Sequence, residues 1–194
     1  IYADLMLSRS QPITDFGNIQ NASFENINSL LSEIKARWDF NKESIDENKL
    51  PSSLITLANT QRYAIVVDAL ASRLFLFENE NGLPRIKSDF YVTIGKNGTH
   101  KYTEGDQKTP IGVYFVTGFI PSEDLPDLYG DGAFPIDYPN AWDKKHGRTG
   151  YGIWLHGTPS NTYSRAPKDS NGCVIVSNND LNTLSEFIDE GKTP

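Results

Sequence analysis

The chain has 194 residues, of which 38% are hydrophobic, 11% aromatic and 22% charged, a composition that excludes a disordered chain and fits one globular domain with an extra segment. A net charge of -7 excludes a sequence-independent nucleic-acid binder, which needs clustered Lys and Arg to neutralise phosphates, and it disfavours adsorption to anionic lipid. No apolar run reaches the roughly eighteen residues of a membrane span, and the single cysteine, Cys173, rules out an intrachain disulfide and a four-cysteine zinc site.

The first residues, "IYADLMLSRSQ", lack the basic-then-apolar pattern of a signal peptide. Because the chain begins at Ile1 without a methionine, an upstream segment such as a signal peptide is expected to have been removed. In "NASFENINSLLSEIKARWDF" the residues Phe24, Ile27, Leu31, Ile34 and Trp38 recur at spacings of three and four, which predicts an amphipathic helix starting near Asn21 or Ser23. This arm is too small to sustain its own core. Its apolar face is expected to pack on the rest of the chain, on a second copy to give a dimer, or on a part of the protein outside this sequence. "NKESIDENKLPSS" reads as a linker around Pro51.

From Arg62 the pattern is β. "YAIVVD" and "RLFLFE", joined by "ALAS", predict a hairpin, and "SDFYVTIG" and "GVYFVTGF" predict two further strands. The stretch from Pro121 to Gly150, rich in Gly, Pro, Asp and Tyr, reads as a long loop, a length that usually marks a lid or binding loop. "YGIWLHG" and "GCVIVS" follow as strands. "NNDLNTLSEFIDEG" predicts a helix capped by Asn178 or Asn179, with Leu181, Leu184 and Ile188 on one face and Gly191 as its stop.

A lone cysteine can be an inert buried hydrophobe, an intermolecular disulfide partner or a nucleophile. As a nucleophile a thiol needs a base within reach, since at its ordinary pKa only a few per cent is ionised at neutral pH. His156 ends the strand "GIWLH" and Cys173 begins "CVIV". If those strands are neighbours, imidazole and thiol project from the same end of a sheet. Gly172 leaves the backbone bare, so that the N–H groups of Gly172 and Cys173 could approach a substrate oxyanion, and Ser170 and Asn171 add short polar groups.

Together, "HGTPSNTYSRAPKDSNGCVIV" and "KTPIGVYFV" resemble the catalytic region of the L,D-transpeptidase (YkuD-type) family. The blocks "YVTIGKNG", "EGDQKTPIGVYF" and "YGDGAFPIDYPNAWDKKHGRTGYGIWLHGTP" are similar to the branch of cell-shape L,D-carboxypeptidases. The resemblance covers about residues 62 to 194 and implies a mainly β fold, a YkuD-type β-sandwich with a helix on its C-terminal side and a long lid loop. Residues 1–60 are then a helical N-terminal arm and linker, and 61–194 the catalytic domain; members of the branch can carry a further C-terminal domain.

The resemblance also implies that Cys173 attacks the carbonyl of an L-to-D link in a peptidoglycan stem peptide, with His156 as base and the Gly157 carbonyl orienting the imidazole. Gly172 and Cys173 match the oxyanion element, and Tyr138 lies where family members can have a lid tyrosine. Thr109 and Gly112 belong to the T-P-x-G turn. Many members have an arginine two residues after the cysteine, where this chain has Ile175. Arg165 is the nearest basic candidate for binding a stem carboxylate, with Lys168 and Arg148 behind it.

Water as acceptor would trim a tetrapeptide stem to a tripeptide, whereas an amine acceptor would form a cross-link. The competing expectations are a non-catalytic peptidoglycan-binding module and a metalloprotein using His100, His146, His156 and Cys173. The latter is disfavoured because zinc ligands usually come in short-spaced pairs, so no metal and no cofactor is expected. The family implies the periplasm or cell envelope.

Overall fold

The computed structural model describes residues 24–42, 50–52 and 54–194. The helix start expected at Asn21 or Ser23, the Phe24 side chain and most of the expected linker lie outside the described residues. Helix α1 (Phe24–Lys42) touches the domain through the polar side of its last turns. The Arg37 guanidinium lies 5.7 Å from the Tyr91 ring and 5.5 Å from the Tyr163 ring, Phe40 meets Tyr91 edge-on, and Arg73 donates to the Phe40 carbonyl. The apolar face points the other way: Ile27, Leu31, Ile34 and Trp38 are 45 to 68% exposed. Cation–aromatic and aromatic contacts of its last turns, not its apolar face, meet the domain.

Strands β1 (Tyr63–Asp68), β2 (Arg73–Glu80) and β3 (Leu83–Tyr91) form an antiparallel sheet with β2 in the centre. The expected first hairpin is present, and Asp68 Oδ1 accepts from the N–H groups of Leu70 and Ala71 in its turn. Asn81 and Gly82, at φ 56° and 91°, make the second turn with two left-handed residues, the backbone that suits a two-residue hairpin. β3 starts at Leu83, ahead of the strand expected from Ser88. Pro84 hides it in the sequence, and the edge position tolerates it.

β4 (Ile94–Gly95) pairs in parallel with β8 (Lys168–Ser170). β5 (Ile120–Pro121), β6 (Gly132–Pro135), β7 (Trp154–His156) and β9 (Val174–Ile175) form the third sheet in the order β5-β6-β7-β9. The strand expected over "GVYFVTGF" is reduced to one bridge, Val116 to Ile136. Pro135 can accept from Thr117 N–H but cannot donate, and the Asp137 carboxylate, not its backbone, takes Phe115 N–H at 2.8 Å. The loop region from Pro121 to Gly150 contains two short 3-10 turns, β6 inside the sheet, and helix α2 (Ala141–Lys145), which Asn140 and Asp143 cap reciprocally.

Helix α3 (Asn178–Ser185) is capped by Ser177, whose Oγ accepts from Asp180 N–H, and not by Asn178 or Asn179. It ends before Gly191, although Ile188 still packs on the core. That core gathers Leu74 and Leu76 from β2, Leu155 from β7, Val176 after β9, and Leu181 and Leu184 from α3, with none from α1 among the described residues. The fold is thus mainly β with a helix on each flank, as expected. Among the described residues no helix is long and apolar enough to cross a membrane.

Leu74, fully buried, and Leu31, 58% exposed, should respond differently to truncation. Leu74→Ala is expected to cost about 2–5 kcal/mol, whereas Leu31→Ala should stay within about 0.5 kcal/mol, as read from urea-unfolding midpoints.

Candidate active site

β7 and β9 run in parallel, with Leu155 beside Val174 and His156 beside Ile175. One step back, Cys173 falls beside Trp154. Side chains alternate along a strand, so His156 and Cys173 share a face as diagonal neighbours. Ile175 is directly opposite His156 and only 2% exposed, bridged on its other side by Thr93.

The imidazole is buried and oriented. His156 is 3% exposed, and its Nδ1 lies 2.7 Å from the Gly157 carbonyl. A carbonyl can only accept, so Nδ1 carries the hydrogen and Nε2 keeps its lone pair. The Tyr129 ring meets the imidazole edge-on at 5.0 Å, and the Tyr129 carbonyl accepts Gly157 N–H at 3.1 Å. Gly157 has no room for a side chain, since a Cβ would lie 2.0 Å from Asn178 Oδ1. That Asn178 oxygen accepts from Thr158 and Asp131 N–H, which fastens the exit of β7 to the start of α3.

On the cysteine side, Gly172 holds φ 129°, and a Cβ there would meet the Lys108 carbonyl at 2.8 Å. Ser170 Oγ accepts Gly172 N–H at 3.0 Å and donates to the Cys173 carbonyl at 2.6 Å. Gly172 N–H is therefore spent on the turn, a correction to its expected place in the oxyanion element, and Cys173 N–H remains as the candidate donor. Thr109 Oγ1 donates to the Gly172 carbonyl and accepts from Gly95 N–H, both at 2.9 Å, so the T-P-x-G turn braces the thiol turn directly. The partly buried thiol points to the Gly152 carbonyl at 3.4 Å, and no hydrogen bond joins it to the imidazole.

The other expected residues scatter. Arg165 Nε pairs with Asp169 at 3.0 Å, and Asn171, exposed, accepts from Gln107 at 3.3 Å. Tyr138 is buried, and its hydroxyl donates to the Thr149 carbonyl at 3.1 Å, so it packs beneath the segment leading to β7. Arg148 is committed to the buried Asp143 at 2.8 Å, and Lys168 is exposed on β8. Each histidine Nδ1 has its own partner: Thr99 for His100, Trp142 for His146, Gly157 for His156. Among the described residues no group of three or more His, Cys, Asp or Glu could hold a metal ion. Sequence reasoning missed Tyr129 and read Asn178 only as a helix cap, because their parts are set by contacts far along the chain; the only local signal was the place of Tyr129 beside Gly130.

The family model for the L,D-transpeptidase catalytic domain (YkuD) matches residues 62–194. The chain belongs to this family. Among solved structures it is similar to Bd1075 of Bdellovibrio bacteriovorus, at 35% identity and a TM-score of 0.64, over 74% of this chain and 51% of that one. It is also similar to the helical cell shape determining protein Pgp2 from Campylobacter jejuni, at 26% identity and a TM-score of 0.64, over 84% of this chain and 54% of that one. The chain thus spans about half the length of these solved structures. No curated protein matches it.

In this member of the family, burial drives the His156 pKa down to about 4, the Nδ1 bond to Gly157 opposes that shift, and the positive charge of Arg165 adds to it. Burial pushes the Cys173 thiol up, against the pull of Trp154 N–H and the Lys101 ammonium. The resting pair is therefore uncharged at neutral pH.

Between about pH 4 and the ordinary 6.5, the unfolded chain binds a proton that folded His156 refuses, so stability falls as pH drops through that window. The loss is complete below about 4. His156→Gln should flatten this stretch of the stability–pH curve relative to the parent, as measured by urea denaturation at pH 4 to 7. Parallel curves would show that His156 is not buried neutral.

Proposed function

We propose that the chain processes peptidoglycan stem peptides through a thioester on Cys173, and that its principal reaction is L,D-carboxypeptidation, trimming a tetrapeptide to a tripeptide. The observation that carries this reading is the diagonal placement of His156, at the end of β7, and Cys173, just before β9, with Nδ1 tied to Gly157 so that Nε2 is free to act as base. An intact pair of this kind favours turnover over a binding module.

In the first step Sγ adds to the carbonyl carbon of the L-to-D link while its proton passes to His156 Nε2. Because the resting pair is neutral, attack and proton transfer are coupled, and a rotation of the thiol away from Gly152 precedes them. Cys173 N–H donates to the oxyanion. As the intermediate collapses the C–N bond breaks, the leaving amine takes the proton from the imidazolium, and the thioester remains. Water then gives a proton to Nε2 and adds its oxygen to the thioester carbonyl; the C–S bond breaks and the proton returns to sulfur. An amine in place of water gives a cross-link, the second reading, which the family's description favours. The substrate implies a periplasmic or cell-envelope location.

Gly157 and Gly172 serve by the space they leave and the turns they allow. Ser170 holds the thiol turn, Asn171 offers an exposed polar contact to the substrate, and Tyr138 supports the segment before β7. Arg165 engages Asp169 through Nε alone, which leaves its terminal nitrogens for a stem carboxylate.

Cys173→Ala is expected to abolish turnover, and His156→Ala to slow it by about a hundredfold to ten-thousandfold, with little loss of fold for the cysteine variant. Mass spectrometry of purified tetrapeptide and tripeptide muropeptides after incubation reads both, and distinguishes loss of a terminal residue from transfer to an amine. Normal product from either variant would remove the assignment.

For Arg165→Ala the expected penalty in kcat/KM is about 1.5–3 kcal/mol on a tetrapeptide with a free terminal carboxylate and near zero on the amidated stem. Equal kinetics with the parent on both substrates would place carboxylate recognition elsewhere.

A further inference from the structure

Between β4 and Thr109 the chain makes a tight turn centred on the Asp106 carboxylate. Oδ1 accepts from Lys101 Nζ at 2.8 Å and Lys108 N–H at 3.1 Å, and Oδ2 accepts from Tyr102 and Thr103 N–H at 2.9 and 3.1 Å. His100 and Gln107 at its ends are left-handed, φ 64° and 57°, a backbone that residues with a Cβ adopt where the surroundings enforce it. Lys101 Nζ also donates to the Thr103 carbonyl at 3.0 Å, so the ammonium is fixed at two points of the turn. Three peptide N–H groups already reach Asp106, yet Lys101 is 3% exposed, and burying its charge carries a desolvation cost.

What the charge gains lies on the other side of Lys101. A Cβ built on Gly150 would be 3.0 Å from Lys101 Cε and 3.5 Å from Nζ, so the ammonium packs against the backbone that, two residues on, presents the Gly152 carbonyl to the Cys173 thiol. The far end of the same turn holds the opposite flank of the site, through Gln107 to Asn171 and Thr109 to the Gly172 carbonyl. Opposite His156, Ile175 brings no charge.

We infer that Lys101, held by Asp106, is a positioning residue for Cys173, its buried ammonium supplying the positive field that stabilises the thiolate during attack. The inference rests on the reading of Cys173 as the nucleophile. Lys101 opposes the effect of burial on the thiol, which agrees with this placement. The other titratable or charged groups around the thiol are His156 on β7, Asp106 in the turn, Arg165 and Asp169 in the connection from β7 to β9, and Tyr138 beneath the segment before β7. None of them is itself substituted when Lys101 alone is changed.

The test is the pH–rate profile of iodoacetamide alkylation, read on the whole chain with its thermal melting temperature. Lys101→Gln, which keeps a donor and drops the charge, should alkylate about tenfold more slowly at pH 7, with its profile displaced about one unit to higher pH. Lys101→Arg should keep the parent profile. A purely structural ion pair lowers the melting temperature and leaves the profile unmoved, or moves it alike in both variants, and either result overturns the inference. If Lys101→Gln does not fold, Lys101→Met is read the same way, and collapse of both assigns the pair to folding and also overturns it. Stem-peptide turnover is measured in parallel. A displaced profile without parent turnover removes the reading of function and leaves Lys101 its effect on the thiol, whereas an unmoved profile in an active enzyme does the reverse.

Discussion

Five residues in two strands, Trp154–His156 and Val174–Ile175, carry the geometry of the site, and what makes them useful is that they pair in parallel. Parallel neighbours cannot be joined by a tight turn; the chain must cross back over a dozen or more residues before the second strand begins. That requirement is the physical content of the long polar connection between His156 and Cys173. The crossing also contributes to the sheet frame, since β8 within it pairs with β4 and the Arg165 carbonyl ahead of β8 accepts from the Tyr91 and Thr93 hydroxyls.

Such short strands do not hold register by themselves. They are braced from three directions: by Thr93 across Ile175, by Thr109 across Gly172, and by Asn178 under Gly157. The second and third need close approach, which explains why Gly172 and Gly157 stand there. The hydrophobic core lies directly behind, with Leu155 and Val176 belonging to it. The face of His156 and Cys173 and the core face are therefore set by one and the same alternation, and a slip of one residue would exchange them.

Much of this was legible in the sequence where periodicity or turn chemistry is strong: the arm helix, the first hairpin, α3, and the juxtaposition of His156 with Cys173. The failures have physical causes. β8, "KDS", is polar and exists as a strand only because β4 lies beside it. The stretch "GVYFVTGF" has the pattern of a strand but faces a proline and an intercepting carboxylate. Asn178 is a good capping residue that has been drawn into a tertiary bond, so Ser177 takes the cap. Lys101 and Asp106 sit in "HKYTEGDQK", which looks like a solvated loop until burial is known. Charges in a polar stretch carry no mark of their depth.

The neutrality of the resting His156–Cys173 pair has a consequence for durability. Peroxide and stray electrophiles attack thiolates far faster than thiols, so a cysteine that stays protonated between turnovers is chemically latent. Latency matters here because Cys173 is the single cysteine of the chain. A sulfenic acid formed on it would find no second thiol within the chain to convert it to a reducible disulfide, and further oxidation would be irreversible. For the proposed nucleophile, protection then comes from avoiding damage between turnovers, and the same low basicity of the imidazole that makes the proposed first step demanding keeps the sulfur from being consumed while it waits.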